Sequence, residues 1–128
     1  MSQQSVHALV IDDSRAMRSI LTRVLTNIGF KVSQAGNGVE GLELLAENPD
    51  IGIALVDWNM PVMNGYDFVK AVRSDSANKD LWIMMVTTET EMSRVVKAMA
   101  VGANEYVMKP FTDDVIVDKM RLLGLLAA

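Results

Sequence analysis

The stretch LVDWNMP, residues 55–61, sets an acid where an apolar run stops. Ile53, Leu55 and Val56 lead into it as large aliphatics, and then Asp57 appears. A strand covered on both faces of a sheet reads as such a run. A carboxylate at its end is costly to desolvate unless something nearby needs it.

Working outward, the chain repeats this theme. The runs VHALVI (6–11), KVSQA (31–35), IGIALV (51–56), LWIMMV (81–86) and EYVMK (105–109) are candidate strands. Stretches of helical period separate them. The clearest covers 15–28, where Met17, Ile20, Leu21, Val24, Leu25 and Ile28 fall at i, i+3, i+4, i+7, i+8 and i+11, before Gly29 as the closing residue. A second helix is expected over about 38–47, burying Val39, Leu42 and Leu45. A third is expected over 66–73, a fourth over 91–101, and a last one from Thr112 as N-cap to near Gly124. Five βα units in a row predict an α/β fold: a doubly wound parallel five-stranded sheet in one domain spanning 1–128.

Composition narrows the function classes. Half of the 128 residues are hydrophobic and 22% are charged, as suits a globular domain. No apolar stretch is long enough to span a membrane, and the opening MSQQSV has no feature of an export signal. With no cysteine, disulfides, thiolate chemistry and cysteine zinc sites are excluded together, and a cytoplasmic location is expected. A net charge of −4 without a basic cluster argues against nucleic-acid binding.

In open α/β sheets, ligands bind beyond the carboxyl ends of the strands. There the first strand delivers Asp12 and Asp13, the third Asp57, the fourth Thr87, and the fifth Lys109 followed by Pro110. Three carboxylates on one rim repel, each pair by about 4 kcal/mol at 4 Å and an effective dielectric of 20. Protonating one acid or binding a cation relieves this, and an all-oxygen donor set suits Mg²⁺. An ionised Asp57 beside such an ion can attack phosphorus, while Lys109 and Thr87 hold the phosphoryl oxygens.

Asp12-Asp13, Asp57, Thr87 and Lys109-Pro110, each at the end of its own strand, resemble the receiver domain of two-component response regulators over essentially the whole chain. DWNMP, and Tyr106 three residues before the lysine, bring it nearest to the single-domain chemotaxis members. The resemblance implies a flavodoxin-like (βα)5 sheet in the order 2-1-3-4-5 and a cis peptide before Pro110. It implies that Asp57 takes a phosphoryl group from a histidine kinase. Mg²⁺ would be held by Asp13, Asp57 and the backbone carbonyl of Asn59, with Asp12 acting largely through water. Thr87 and Tyr106 would switch an output face on helix 4, strand 5 and helix 5, and Asn59, Thr88 and Glu89 would modulate the reaction. Thr88 stands where receivers commonly carry Ala or Ser, and its extra methyl group narrows the path for Tyr106. Expected partners are the kinase, a flagellar motor switch or other output protein, and a phosphatase, with the protein itself monomeric. On this reading it is no enzyme beyond assisting its own phosphorylation and slow dephosphorylation.

Other readings stand beside this one. A lone receiver can drain phosphate from a shared kinase, or serve a relay or cell-cycle pathway. GNGVEG, Gly36 to Gly41, is a G-x-G-x-x-G opening a helix, with Asp57 ending the next strand, and so matches a dinucleotide fingerprint through Gly36, Gly38 and Gly41. In the receiver reading Gly41 is an incidental small residue. A haloacid-dehalogenase-type phosphatase would carry an acid two residues after its nucleophile, where this chain has Asn59. Ser14 or Asp13 can cap the first helix, and Thr88 with Glu91 matches a capping box. Tyr106 can be a half-buried core aromatic, and Trp58 and Trp82 packing or surface residues. His7 lies far from the rim. Met17, Met84 and Met85 are expected in the core. Met92, Met99 and Met108 fall near the output face, with core packing the favoured reading.

Overall fold

The computed structural model describes residues 6–88 and 92–127. In chain order its elements are β1 (His7–Ile11), α1 (Arg15–Asn27), β2 (Lys31–Ala35), α2 (Gly38–Glu47), β3 (Ile51–Asp57), α3 (Gly65–Arg73), β4 (Trp82–Thr88), α4 (Met92–Ala100), β5 (Glu105–Lys109) and α5 (Asp113–Leu122). A single 3-10 turn over Ser76–Asn78, which the sequence pattern did not indicate, leads from α3 towards β4. All neighbouring strands are parallel and the order is β2-β1-β3-β4-β5, as the resemblance implied.

Side-chain alternation divides the core into two layers. Leu9, Ile11, Val56, Ile83 and Met85 face Leu45 of α2, Phe68, Val69 and Val72 of α3, and Ala98 of α4. Ala8, Val10, Ile53, Leu55, Met84 and Val86 face Leu21, Val24 and Leu25 of α1 and Ile116 and Met120 of α5. Each large aliphatic taken fully out of water contributes about 1.5–3 kcal/mol. That is why the central strands are apolar on both sides until they reach the rim.

Local chemistry sets the helix starts. Ser14 caps α1, its Oγ accepting from Met17 N at 3.2 Å. Asn37 caps α2 through Glu40 N at 2.9 Å, and Asn64 caps α3 through Asp67 N at 2.8 Å. Thr112 holds the cap position of α5, but its side chain makes no capping hydrogen bond. Arg73 fastens the far end of the sheet, donating to the carbonyls of Leu81 at 2.7 Å, Asn78 at 2.9 Å and Gly102 at 3.0 Å, and to Asn104 Oδ1 at 2.8 Å.

Several expectations need correction. Val39 is exposed and does not join the core. The buried positions of α2 are Gly38, Gly41 and Leu45, with Gly38 pressed against Met63 of the β3–α3 loop and Gly41 against Ile11 of β1 and Phe68 of α3. Gly41 is therefore not incidental: a Cβ there would stand 2.5 Å from Ile11 Cδ1 and 3.1 Å from Phe68 Cε1. Met99 and Met108 are exposed, against the core reading, and Met17 is half-buried beside the second layer. Glu89 and Glu91 lie outside the described residues, as does the side chain of Met92, so their expected roles have no structural counterpart.

The dinucleotide fingerprint has no room to act. Its glycines follow the edge strand β2, and a Cβ at Gly38 would meet Met63 Cγ at 2.9 Å. The Gly36 amide, which a pyrophosphate would need, already donates to Glu40 Oε1 at 3.2 Å. These glycines serve helix packing and a reciprocal Asn37–Glu40 cap.

Candidate functional site

Each strand that ends at the rim contributes chemistry there. Asp12 follows β1, tied by its amide to Ala35 O at 3.1 Å and by its Oδ1 to Ser14 N at 2.8 Å. Asp13 comes next and is exposed. Asp57 is the last residue of β3 and is buried, at 6% exposure. Oxygens from Asp12, Asp13 and Asp57 all lie within 4.8 Å of one another.

From β5, Lys109 reaches across the sheet end. Its Nζ donates to Asp57 Oδ1 at 3.3 Å and to Asp12 Oδ2 at 3.5 Å. The peptide joining it to Pro110 is cis. Burial pushes the Asp57 carboxyl up to about 6, with Asp12 and Asp13 adding to the rise and Lys109 opposing it. Burial pulls the Lys109 ammonium down, but Asp57 and Asp12 outweigh that, and its pKa ends above the usual value. The pair is thus held in tension, with one cation set against three acids.

Thr87 is fully buried at the end of β4, one residue beyond Val86, which pairs with Asp57. Its hydroxyl donates to the Thr88 carbonyl at 3.4 Å. Tyr106 is half-buried against the α2–α3–α4 layer, with the Lys119 ammonium 5.5 Å from its ring centroid. His7 sits at the opposite end of the sheet. There it bridges Ser33 Oγ at 2.7 Å and Asp50 Oδ2 at 2.9 Å, tying β1 to β2 and to the turn that leads into β3.

A cavity of about 580 Å³ opens beside the acids, lined by Asp13, Trp58, Asn59, Met60, Asn64 and Arg94 among others. Sequence reasoning passed over Arg94 and Asn64. Nothing in their spacing marks them, because they enter only when α4 and the β3–α3 loop are set side by side. Within that loop Val62 has φ 72°, a conformation rare for a β-branched residue, and stands 80% exposed. A somewhat larger hollow of about 640 Å³ lies at the amino-terminal ends of β3 and β4, lined by Leu42, Leu45, Ile51, Ala71 and Leu81 among others. It lies away from the acid cluster, so the chemistry belongs to the rim.

An all-oxygen cluster of three carboxylates fits a hard divalent cation, which would offset charge that Lys109 alone cannot. The Asp57 side chain, buried but ionisable, is suited to nucleophilic attack. No helix among the described residues is long and apolar enough to cross a membrane.

Comparison with known proteins agrees with this geometry. The chain is 45% identical over 116 residues to the chemotaxis protein CheY1 of Helicobacter pylori, covering 90% of this chain and 94% of that protein. It is 44% identical over 113 residues to a CheY homologue of Campylobacter jejuni, covering 88% and 87% respectively. Among solved structures, chemotaxis response regulator CheY4 of Vibrio cholerae superposes with a TM-score of 0.86 at 34% identity, covering 94% of this chain and 99% of that one. A family model for the response regulator receiver domain matches residues 8–121. With that match across most of its length, the chain belongs to the response regulator receiver domain family.

Proposed function

We propose that this protein is a phosphorylation-activated switch of a two-component system, with Asp57 as phosphoacceptor and a role in chemotaxis. The observation that carries the reading is the meeting of Asp12, Asp13 and Asp57 with Lys109 at one sheet end. The similarity to chemotaxis proteins of matching length favours that pathway.

In this account an Asp57 oxygen attacks the phosphorus of a phosphohistidine or small phosphodonor. The bond from phosphorus to the leaving group breaks, and the leaving group departs with the electron pair. Asp12, Asp13, Asp57 and the Asn59 carbonyl would hold Mg²⁺, which when bound supplies charge neutralisation at the phosphoryl oxygens. The Lys109 ammonium transfers from the carboxylate pair to a phosphoryl oxygen. The Thr87 hydroxyl, now on the Thr88 carbonyl at a long 3.4 Å, is free in energy terms to exchange that weak bond for a stronger one. Moving Thr87 opens space beside Tyr106, and the α4–β5–α5 face follows. That face presents Val96, Met99, Met108, Val115 and Leu122, apolar groups suited to a protein partner. A histidine kinase supplies the phosphoryl group, the flagellar motor switch receives the signal, and both act in the cytoplasm.

Pull-down from a motile bacterial lysate, with and without beryllofluoride and Mg²⁺, tests the switch. Retention of an output protein by the beryllofluoride form alone supports it. Retention of kinases only would make the protein a phosphate sink, and identical partners in both states would remove the switch.

A further inference from the structure

We propose that Arg94 determines phosphodonor specificity, by receiving the leaving carboxylate of acyl phosphates; this rests on Asp57 being the phosphoacceptor. Arg94 projects from α4 into the wall of the cavity that Asp13 also lines. Its Nη1 lies 3.3 Å from Asn59 Oδ1, and its guanidinium carbon stands 5.9 Å from the Trp58 ring centroid. Trp58 and Asn59 directly follow Asp57, so this cation is fixed to the segment that bears the nucleophile.

Displacement at phosphorus needs the attacking oxygen, phosphorus and leaving atom roughly in line. Asp57 is buried at the sheet end. The leaving group of any donor that reaches it must therefore point away from the strand, towards the open cavity. The Lys109 ammonium is engaged by Asp12 and Asp57, and Lys109 does not line that cavity. Among the described residues lining the cavity, Arg94 carries the positive charge.

The chemistry of the donor decides what that charge is worth. When acetyl phosphate reacts, the Asp57 oxygen–phosphorus bond forms, the acetyl oxygen–phosphorus bond breaks, and acetate leaves with the electron pair; no proton moves. Negative charge builds on a planar carboxylate, which a planar guanidinium fork matches in two bonds. When phosphoramidate reacts as its zwitterion, the phosphorus–nitrogen bond breaks and neutral ammonia leaves. That product offers the guanidinium nothing to neutralise. The Trp58 ring, 5.9 Å from the guanidinium carbon, helps hold that cation at the cavity wall.

The test measures rates of Asp57 phosphorylation in Mg²⁺ from acetyl phosphate and from phosphoramidate, both below saturation, for wild type, Arg94→Gln and Arg94→Lys. Arg94→Gln is expected to lower the acetyl phosphate rate about tenfold or more beyond any fall with phosphoramidate, as befits a lost charge-assisted bond. Arg94→Lys should restore part of that difference. Equal falls with both donors would make Arg94 a prop for the loop and overturn the proposal, as would no fall with either. Should wild type accept phosphate from neither donor, the phosphoacceptor reading itself fails, which is a separate result.

Discussion

Lys109 Nζ lies 3.3 Å from Asp57 Oδ1, a pairing between residues 52 positions apart in the chain. It balances a carboxylate that burial and two neighbouring acids would otherwise drive towards neutrality. Replacing Lys109 with Met should therefore raise the Asp57 pKa above about 6 in metal-free protein. The carboxyl-carbon NMR shift followed against pH reads this directly; an unchanged or lower value would mean that the ammonium is not the counter-charge.

The raised Asp57 pKa fixes the sign of a stability effect. Between about 4 and 6, the folded state keeps a proton that the unfolded chain, with the ordinary aspartate value of 3.8, has already released. Stability therefore falls as pH rises through that window, and the ionised carboxylate is a full burden above it. Asp57→Asn should melt several degrees higher than wild type at neutral pH in EDTA, with the gain disappearing at the acid end of the window. A variant no more stable at neutral pH would contradict the shift.

Metal binding should reverse that burden. Mg²⁺ at a hundred times its dissociation constant raises stability by about 2.7 kcal/mol through mass action alone. Asp13→Ala removes an exposed oxygen from the cluster without disturbing the core, so it should abolish most of the rise. Thermal melts with and without Mg²⁺ check this, and an undiminished shift would place the ion elsewhere.

Much of this arrangement was legible in the sequence because buried parallel strands write themselves as apolar runs. The residues at 12, 57, 87 and 109 stood out by interrupting those runs. What stayed hidden depends on distances between elements. Val39 fits a helical stripe, yet the tight approach of α2 to β1 turns it outward and gives the buried face to glycines. Arg73 reads as an ordinary helix-end cation, and only the packed structure shows its guanidinium gathering four carbonyl oxygens, with Asn104 besides. Arg94 and Trp58 carry no shared motif, since their contact arises where α4 crosses the β3–α3 loop.

Gly41 supplies a test of that close approach. Alanine favours a helix by about 1 kcal/mol over glycine, but its methyl group would collide with Ile11 and Phe68, both fully buried. Overpacking of this kind costs about 1–3 kcal/mol, so the clash should win and Gly41→Ala should lose stability in urea titration. A more stable variant would show that α2 has room to move.

Intact-mass analysis after incubation with acetyl phosphate tests the assignment of Asp57 as the acceptor. Wild type should gain one phosphoryl group in the presence of Mg²⁺ and little without it, while Asp57→Asn gains none. Equal labelling of Asp57→Asn, or labelling indifferent to Mg²⁺, would contradict it.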